Sequence, residues 1–181
     1  MLYLLLAEGF EETEAVATFD VISRCNIGIK TVNINIGNAE NVRGSHGISL
    51  KADIGIDEVD FKNIDGIILP GGMPGTLNLK NDKHVRKLIE FCVDNEKIIA
   101  AICAAPMILG HLGILKGLNA TCFPGVEDDL DGAILSNDAV VRDDNIITAN
   151  GAGAVFGFAA EIANYFKEDS GTRILKKMQV K

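Results

Sequence analysis

The sequence is short of basic residues: 17 Lys and Arg stand against 25 Asp and Glu, for a formal net charge of −8 and a pI near 4.8. Binding to a phosphate backbone rests on clustered Lys and Arg, so no nucleic-acid partner is expected. The one basic cluster, Arg173, Lys176 and Lys177, falls at helical spacing near the C-terminus and reads as a solvated face suited to a helix end. Long hydrophobic runs are missing too. The opening "MLYLLLAEGFEETEA" is apolar for seven residues, has no basic start and runs into Glu11, Glu12 and Glu14, unlike a signal peptide or a membrane span. The expected location is therefore cytoplasmic, with no membrane partner. Cysteine is present at only four positions, Cys25, Cys92, Cys103 and Cys122, without a CxxC pair or the His/Cys spacing of a zinc site. In a reducing compartment these thiols are not expected to form structural disulfides, and no metal is expected. Proline is scarce as well, 4 residues against 19 glycines, and there are no low-complexity tracts, repeats or linkers. What remains is a globular composition, 48% hydrophobic and 23% charged, in 181 residues that read as a single domain, 1–181.

Short apolar runs of strand length lie at 2–7, 30–36, 66–70, 97–102 and 145–150. Helical periodicity separates them: Val16, Phe19 and Ile22 or Ser23 after the first, then Val85, Leu88 and Cys92 with Ile89 beside them, then "GAVFGFAAEIANYF" near the end. Continuous apolar strands alternating with helices predict an α/β fold, a mostly parallel open sheet covered by helices on both faces. Polar alternation in "SLKADIGI" and "AVVRDDNIIT" predicts small antiparallel pairs appended to that sheet.

Three strand ends carry candidate chemistry. In "KIIAAICAAPMILG" an apolar run stops at Cys103, with a helix expected over 104–113. A cysteine in such a run is commonly a small core residue. Here it falls where an open α/β sheet keeps its active groups, at the carboxyl end of a strand, and Ala104 and Ala105 are small enough for a sharp strand-nucleophile-helix elbow. The helix start is expected to lower the thiol pKa. The second strand end, "LPGGMPG", offers Gly71 and Gly72, whose backbone N–H groups can approach a developing oxyanion closely. The third, "AEGFEETEA", crowds Glu11, Glu12 and Glu14 into the first turn of a helix; the spacing does not say which of them faces Cys103.

Taken together, "AEGFEETEA", "ILPGGMPG", "AAICAAP" and "TANGAGAVFGFA" resemble the motifs of the DJ-one/ThiJ/PfpI superfamily, in its DJ-one-like branch, in family order over nearly the whole chain. The resemblance implies a flavodoxin-like sandwich, a homodimer, and a reactive cysteine at the nucleophile elbow, which matches Cys103. It implies that the family glutamate is Glu14, and that the N–H groups of Gly72 and Ala104 form an anion pocket with Gly71 beside them. Three positions depart from relatives: Ala104 follows the cysteine where PfpI-type peptidases have histidine, Phe123 stands in "TCFPG" where close relatives have histidine, and Asn150 stands in place of an arginine near the site. Of the histidines, His84 and His111 lie in helical patterns, which leaves His46 as the one candidate visitor to the site. A peptidase is accordingly disfavoured. "NGAGAVFG" looks like a stretched dinucleotide fingerprint, but no βαβ unit follows it, so no cofactor is implied.

The activity implied by the resemblance is glutathione-independent glyoxalase or deglycase-type chemistry on a small-molecule aldehyde. A protonated Glu14 would hydrogen-bond a Cys103 thiolate, the two titrating as a pair. The alternatives are a redox sensor acting through oxidation of Cys103 and a chaperone-like binding protein.

Overall fold

A computed structural model describes residues 1–35 and 41–180. In chain order its elements are β1 (Leu2–Leu6), α1 (Glu12–Arg24), β2 (Ile29–Asn33), β3 (Asn41–Arg43), β4 (Ser49–Lys51), β5 (Ile54–Gly55), β6 (Gly66–Leu69), α2 (Gly75–Asn81), α3 (Lys83–Asp94), β7 (Ile98–Ile102), α4 (Pro106–His111), β8 (Asn119–Ala120), β9 (Ile134–Leu135), β10 (Val140–Asp143), β11 (Ile146–Ala149), α5 (Val155–Phe166) and α6 (Ser170–Lys177). Seven strands form one sheet in the order β10-β11-β7-β6-β1-β2-β5, parallel throughout except where β10 pairs with β11.

Successive side chains of a strand point to opposite faces of its sheet, so a strand covered on both sides must be apolar at every position. β1 obeys this: Tyr3 and Leu5 enter one core with Leu88, Ile89 and Ile108 from α3 and α4, while Leu2, Leu4 and Leu6 enter the other with Ile22, Phe158 and Ile162 from α1 and α5. β7 divides the same way, Ile99 and Ala101 against Ile98, Ala100 and Ile102. The expected flavodoxin-like α/β sandwich is thus the observed one. Because β1, β6 and β7 are adjacent and parallel, their carboxyl ends bring the segments after Leu6, Leu69 and Ile102 to one edge of the sheet.

Several local expectations need correction. α1 buries Ala15, Thr18, Val21 and Ile22, whereas Val16 is 47% exposed and Ser23 is exposed, so the buried stripe is rotated from the one the periodicity suggested. Small Ala15 and Thr18 carry little hydrophobic signal but let α1 pack closely. The "SLKADIGI" segment splits: β4 pairs antiparallel with β3, while β5 joins the main sheet parallel to β2. The strand expected at 30–36 ends at Asn33, and Ile36 lies outside the described residues. The hairpin expected in "AVVRDDNIIT" forms as β10–β11. Among the described residues no helix is long and apolar enough to cross a membrane.

Candidate active site

Cys103 directly follows β7 and has φ +64, a left-handed conformation that a residue with a side chain seldom adopts. Such strain persists only when the surroundings fix it, and here both backbone groups are held. The Cys103 N–H donates to the Ala149 carbonyl at 2.8 Å, and the Phe123 N–H donates to the Cys103 carbonyl at 2.8 Å. The resulting elbow turns the side chain off the end of the strand. The helix beyond it starts later than expected. Ala105 is the N-cap and Pro106 occupies the first turn, where its fixed φ and missing N–H suit a helix start. Cys103 therefore lies outside the helix, in the turn before it.

The Gly71–Gly72 turn after β6 closes one side. Gly72 has φ +90, and a Cβ there would stand 2.5 Å from the Glu11 nitrogen and 2.6 Å from the Gly9 carbonyl oxygen. A Cβ on Gly71 would stand 2.6 Å from Cys103 Cβ and 2.8 Å from Glu14 Oε2. Only glycines admit the thiol and the carboxyl at this separation.

Glu14 comes from the first turn of α1 and is 1% exposed. Its Oε2 accepts the Gly71 N–H at 2.8 Å, and its buried Oε1 has no hydrogen-bond partner. The three acids of the motif thus separate by task. Glu11 caps α1, accepting the Glu14 N–H at 2.6 Å. Glu12 accepts the His46 N–H at 2.8 Å, the Ile48 N–H at 3.2 Å and the His46 ring at 3.0 Å, tying the β3–β4 turn to α1. Among the described acids of the motif, Glu14 is the one beside the thiol.

The electrostatics follow from burial. Desolvation pushes the Glu14 carboxyl up to about 7, aided by the charge of Glu11 and opposed by the Gly71 N–H and by Cys103. Burial also pushes the Cys103 thiol up, to about 12; the charge of Glu14 and its hydrogen bond add to the rise, while the N–H groups of Ala104 and Gly72 oppose it. The expected lowering of this thiol by a helix start is therefore overturned: the helix begins too far along the chain, and an ionised carboxylate is the nearer charge. Thiol and carboxyl titrate as one unit, losing a first proton near neutrality and the second only at high pH.

Of the other expected site residues, Phe123 is 48% exposed and borders Gly151, whose Cβ would stand 3.3 Å from its ring. Asn150 directly follows β11. His46 is 72% exposed on its side chain and pairs with Glu12; its ring stands 3.9 Å from Glu11. His84 pairs with Asp82 and His111 with Asp129, so every histidine faces a carboxylate and none is hydrogen-bonded to Cys103. The fold also places Glu11, Glu12 and His46 close enough to share a cation, a grouping invisible in the sequence because 34 residues separate Glu12 from His46. The Glu12 oxygens there are already engaged as acceptors.

Comparison with known proteins identifies the family. Residues 1–165 match the model of the DJ-1/PfpI family. The chain belongs to that family. Among its DJ-1/PfpI relatives, protein dj-1beta of Drosophila melanogaster is 32% identical over 162 residues, covering 88% of this chain and 86% of the relative. The glutathione-independent glyoxalase DJR-1.2 of Caenorhabditis elegans is 32% identical over 178 residues, 97% of this chain and 93% of the relative. The crystal structure of Drosophila melanogaster DJ-1beta superposes with a TM-score of 0.91 at 28% identity, covering 99% of this chain and 97% of that one.

Proposed function

We propose that this DJ-1/PfpI chain carries out glutathione-independent glyoxalase chemistry on small 2-oxoaldehydes, with Cys103 as nucleophile and Glu14 as proton carrier. The observation that carries this reading is the strained elbow presenting Cys103 to a buried carboxyl whose pKa lies near 7, the value suited to moving protons at neutral pH. In methylglyoxal, sulfur adds to the aldehyde carbon, and the thiol proton passes through Glu14 to the carbonyl oxygen. The N–H groups of Gly72 and Ala104 hold the developing oxyanion. Glu14 then removes the proton from the former aldehyde carbon and returns one to the neighbouring carbon, while the hydroxyl proton on the first carbon passes to the neighbouring carbonyl oxygen. The first carbon is thereby oxidised to a thioester and the second reduced to an alcohol, with no outside oxidant. Water hydrolyses the thioester to a 2-hydroxy acid and frees the thiol. Deglycase-type hydrolysis of aldehyde adducts uses the same groups.

The reactive species in this scheme is the pair with one proton left, so the absence of a neighbouring histidine does not block it. A Cys-His peptidase is disfavoured by the same absence. The test is D- or L-lactate formation from methylglyoxal without glutathione. Cys103→Ala is expected to abolish it and Glu14→Gln to cut it by about a hundredfold or more; full activity in Cys103→Ala would remove the assigned nucleophile. A homodimer belongs to the same proposal. Val16, Phe19 and Leu50 line an apolar groove between α1 and β4 that a second copy would cover. Light scattering at micromolar concentration should give twice the monomer mass, and monomer mass alone would refute it.

A further inference from the structure

A cavity of about 260 Å³ lies past the end of β11, which flanks β7 on the side opposite β6 and β1, and the scheme above gives it no task. Its walls are the segment 135–137, whose Ser136 N–H donates to the Ala120 carbonyl, and two segments bonded to the backbone of Cys103. One is 121–127, whose Phe123 N–H reaches the Cys103 carbonyl; the other follows Ala149, whose carbonyl receives the Cys103 N–H. At about 30 Å³ per water-sized group, the space accepts a chain of roughly eight such groups, more than methylglyoxal fills.

The lining is mixed, with Cys122, Pro124 and Leu135 beside five polar residues, and is short of positive charge. The carboxamides of Asn137 and Asn150 have no hydrogen-bond partner among the described residues, and each offers two donors and an acceptor. The Thr121 and Ser136 hydroxyls add further groups of both kinds, and Ser136 is itself held by Asp138 at 3.0 Å. Among the described residues Glu127 is the one carboxyl side chain in the lining, where it accepts the Gly125 N–H at 2.7 Å. Among the described residues no Lys, Arg or His lines the cavity. Amides and hydroxyls match a neutral chain of hydroxyl groups, while a phosphate or carboxylate would meet Glu127 without a compensating cation.

The geometry points to a specificity subsite: Asn150 and Asn137 bind the hydroxylated tail of a sugar-derived 2-oxoaldehyde whose carbonyl end lies at Cys103. This rests on the glyoxalase reading for the reaction but not for the binding. Phe123 lies between the lining residues Cys122 and Pro124, its N–H bonded to the Cys103 carbonyl and its exposed ring against Gly151, and in this proposal it would wall the ligand between its two halves.

The test has two arms on the full chain. In the first, kcat/KM is compared for methylglyoxal, for a neutral six-carbon 3-deoxyhexosulose and for its 6-phosphate. The neutral sugar aldehyde should exceed both others by about tenfold, and Asn150→Ala should lower the ratio of deoxyhexosulose to methylglyoxal about fivefold, the effect of one hydrogen bond. A ratio unmoved in Asn150→Ala and Asn137→Ala, or preference for the phosphate, overturns the subsite. In the second arm, Cys103→Ala is titrated with 3-deoxyhexitol, which keeps the tail and lacks reactive carbonyls, while the side-chain amide signals of Asn137 and Asn150 are followed by NMR. Saturable shifts of both signals support the subsite, and their absence overturns it. Loss of all turnover with the amide shifts retained would refute the glyoxalase reading and leave the subsite standing.

Discussion

Replacing Gly71 with alanine tests the architecture of the pair without touching either reacting group. A Cβ at this position falls 2.6 Å from Cys103 Cβ, 3.1 Å from its Sγ and 2.8 Å from Glu14 Oε2. Carbon contacts settle at about 3.5 to 4.0 Å, so thiol and carboxyl must together give way by about 1 Å. Gly71 is not at positive φ, so the backbone tolerates alanine; the crowding costs about 1–3 kcal/mol of stability, and the protein still folds. A misplacement of about 1 Å at reacting atoms can cost on the order of a hundredfold in rate. Gly71→Ala should therefore form lactate from methylglyoxal about a hundredfold more slowly while its circular dichroism matches the parent. The Gly71 N–H that now reaches Glu14 Oε2 at 2.8 Å is also displaced, and with it a hydrogen bond that favours the ionised carboxylate. The midpoint of the pH–rate curve should consequently move above 7. A folded Gly71→Ala protein with a rate within twofold of the parent and an unmoved midpoint would refute the idea that close approach across Gly71 makes the site.

Two further predictions concern the shared proton. Alkylation of Cys103 by iodoacetamide should rise with pH through a midpoint near 7, where the pair loses its first proton, and peptide mass mapping should show that Glu14→Gln abolishes this inflection; Cys92, pushed up to about 12 by burial with no acid beside it, should show none. Glu14 also weakens the fold. Its carboxyl is raised from 4.5 to about 7 on folding, so the unfolded chain releases the proton first, and stability falls as pH rises from about 4.5 to 7, by about 3 kcal/mol, then stays level. Glu14→Gln should accordingly melt several degrees higher than the parent at pH 8 and lose most of that advantage at pH 4, as read by scanning calorimetry.

The sequence disclosed the layers of this fold better than the faces of its helices. β1 and β7 announce themselves because burial on both sides demands unbroken apolar runs, and the position of Cys103 at the end of one follows directly. α1 is harder to read. Its buried stripe includes Glu14, Ala15 and Thr18, two of them polar, so the hydrophobic period points to a neighbouring face that the fold leaves partly exposed at Val16. The same helix hid the division of labour among its acids, since capping by Glu11 and anchoring of the β3–β4 turn by Glu12 depend on groups up to 36 residues away.

The expected thiol pKa failed for a related reason. Sequence places Cys103 at a strand–helix junction, and a dipole argument then lowers its pKa. It cannot show that Pro106 delays the helix or that Gly71 lets a buried carboxylate come close. Two effects of opposite sign compete there, and burial beside a carboxylate outweighs the end of a helix that begins only after Ala105. The consequence is chemical. A thiol that ionises by handing its proton to Glu14 keeps that proton at hand, and an incoming carbonyl can take it up again. In the proposed reaction, a strained elbow, two glycines and a desolvated acid around one cysteine thus let Glu14 take the thiol proton and pass it to a carbonyl substrate.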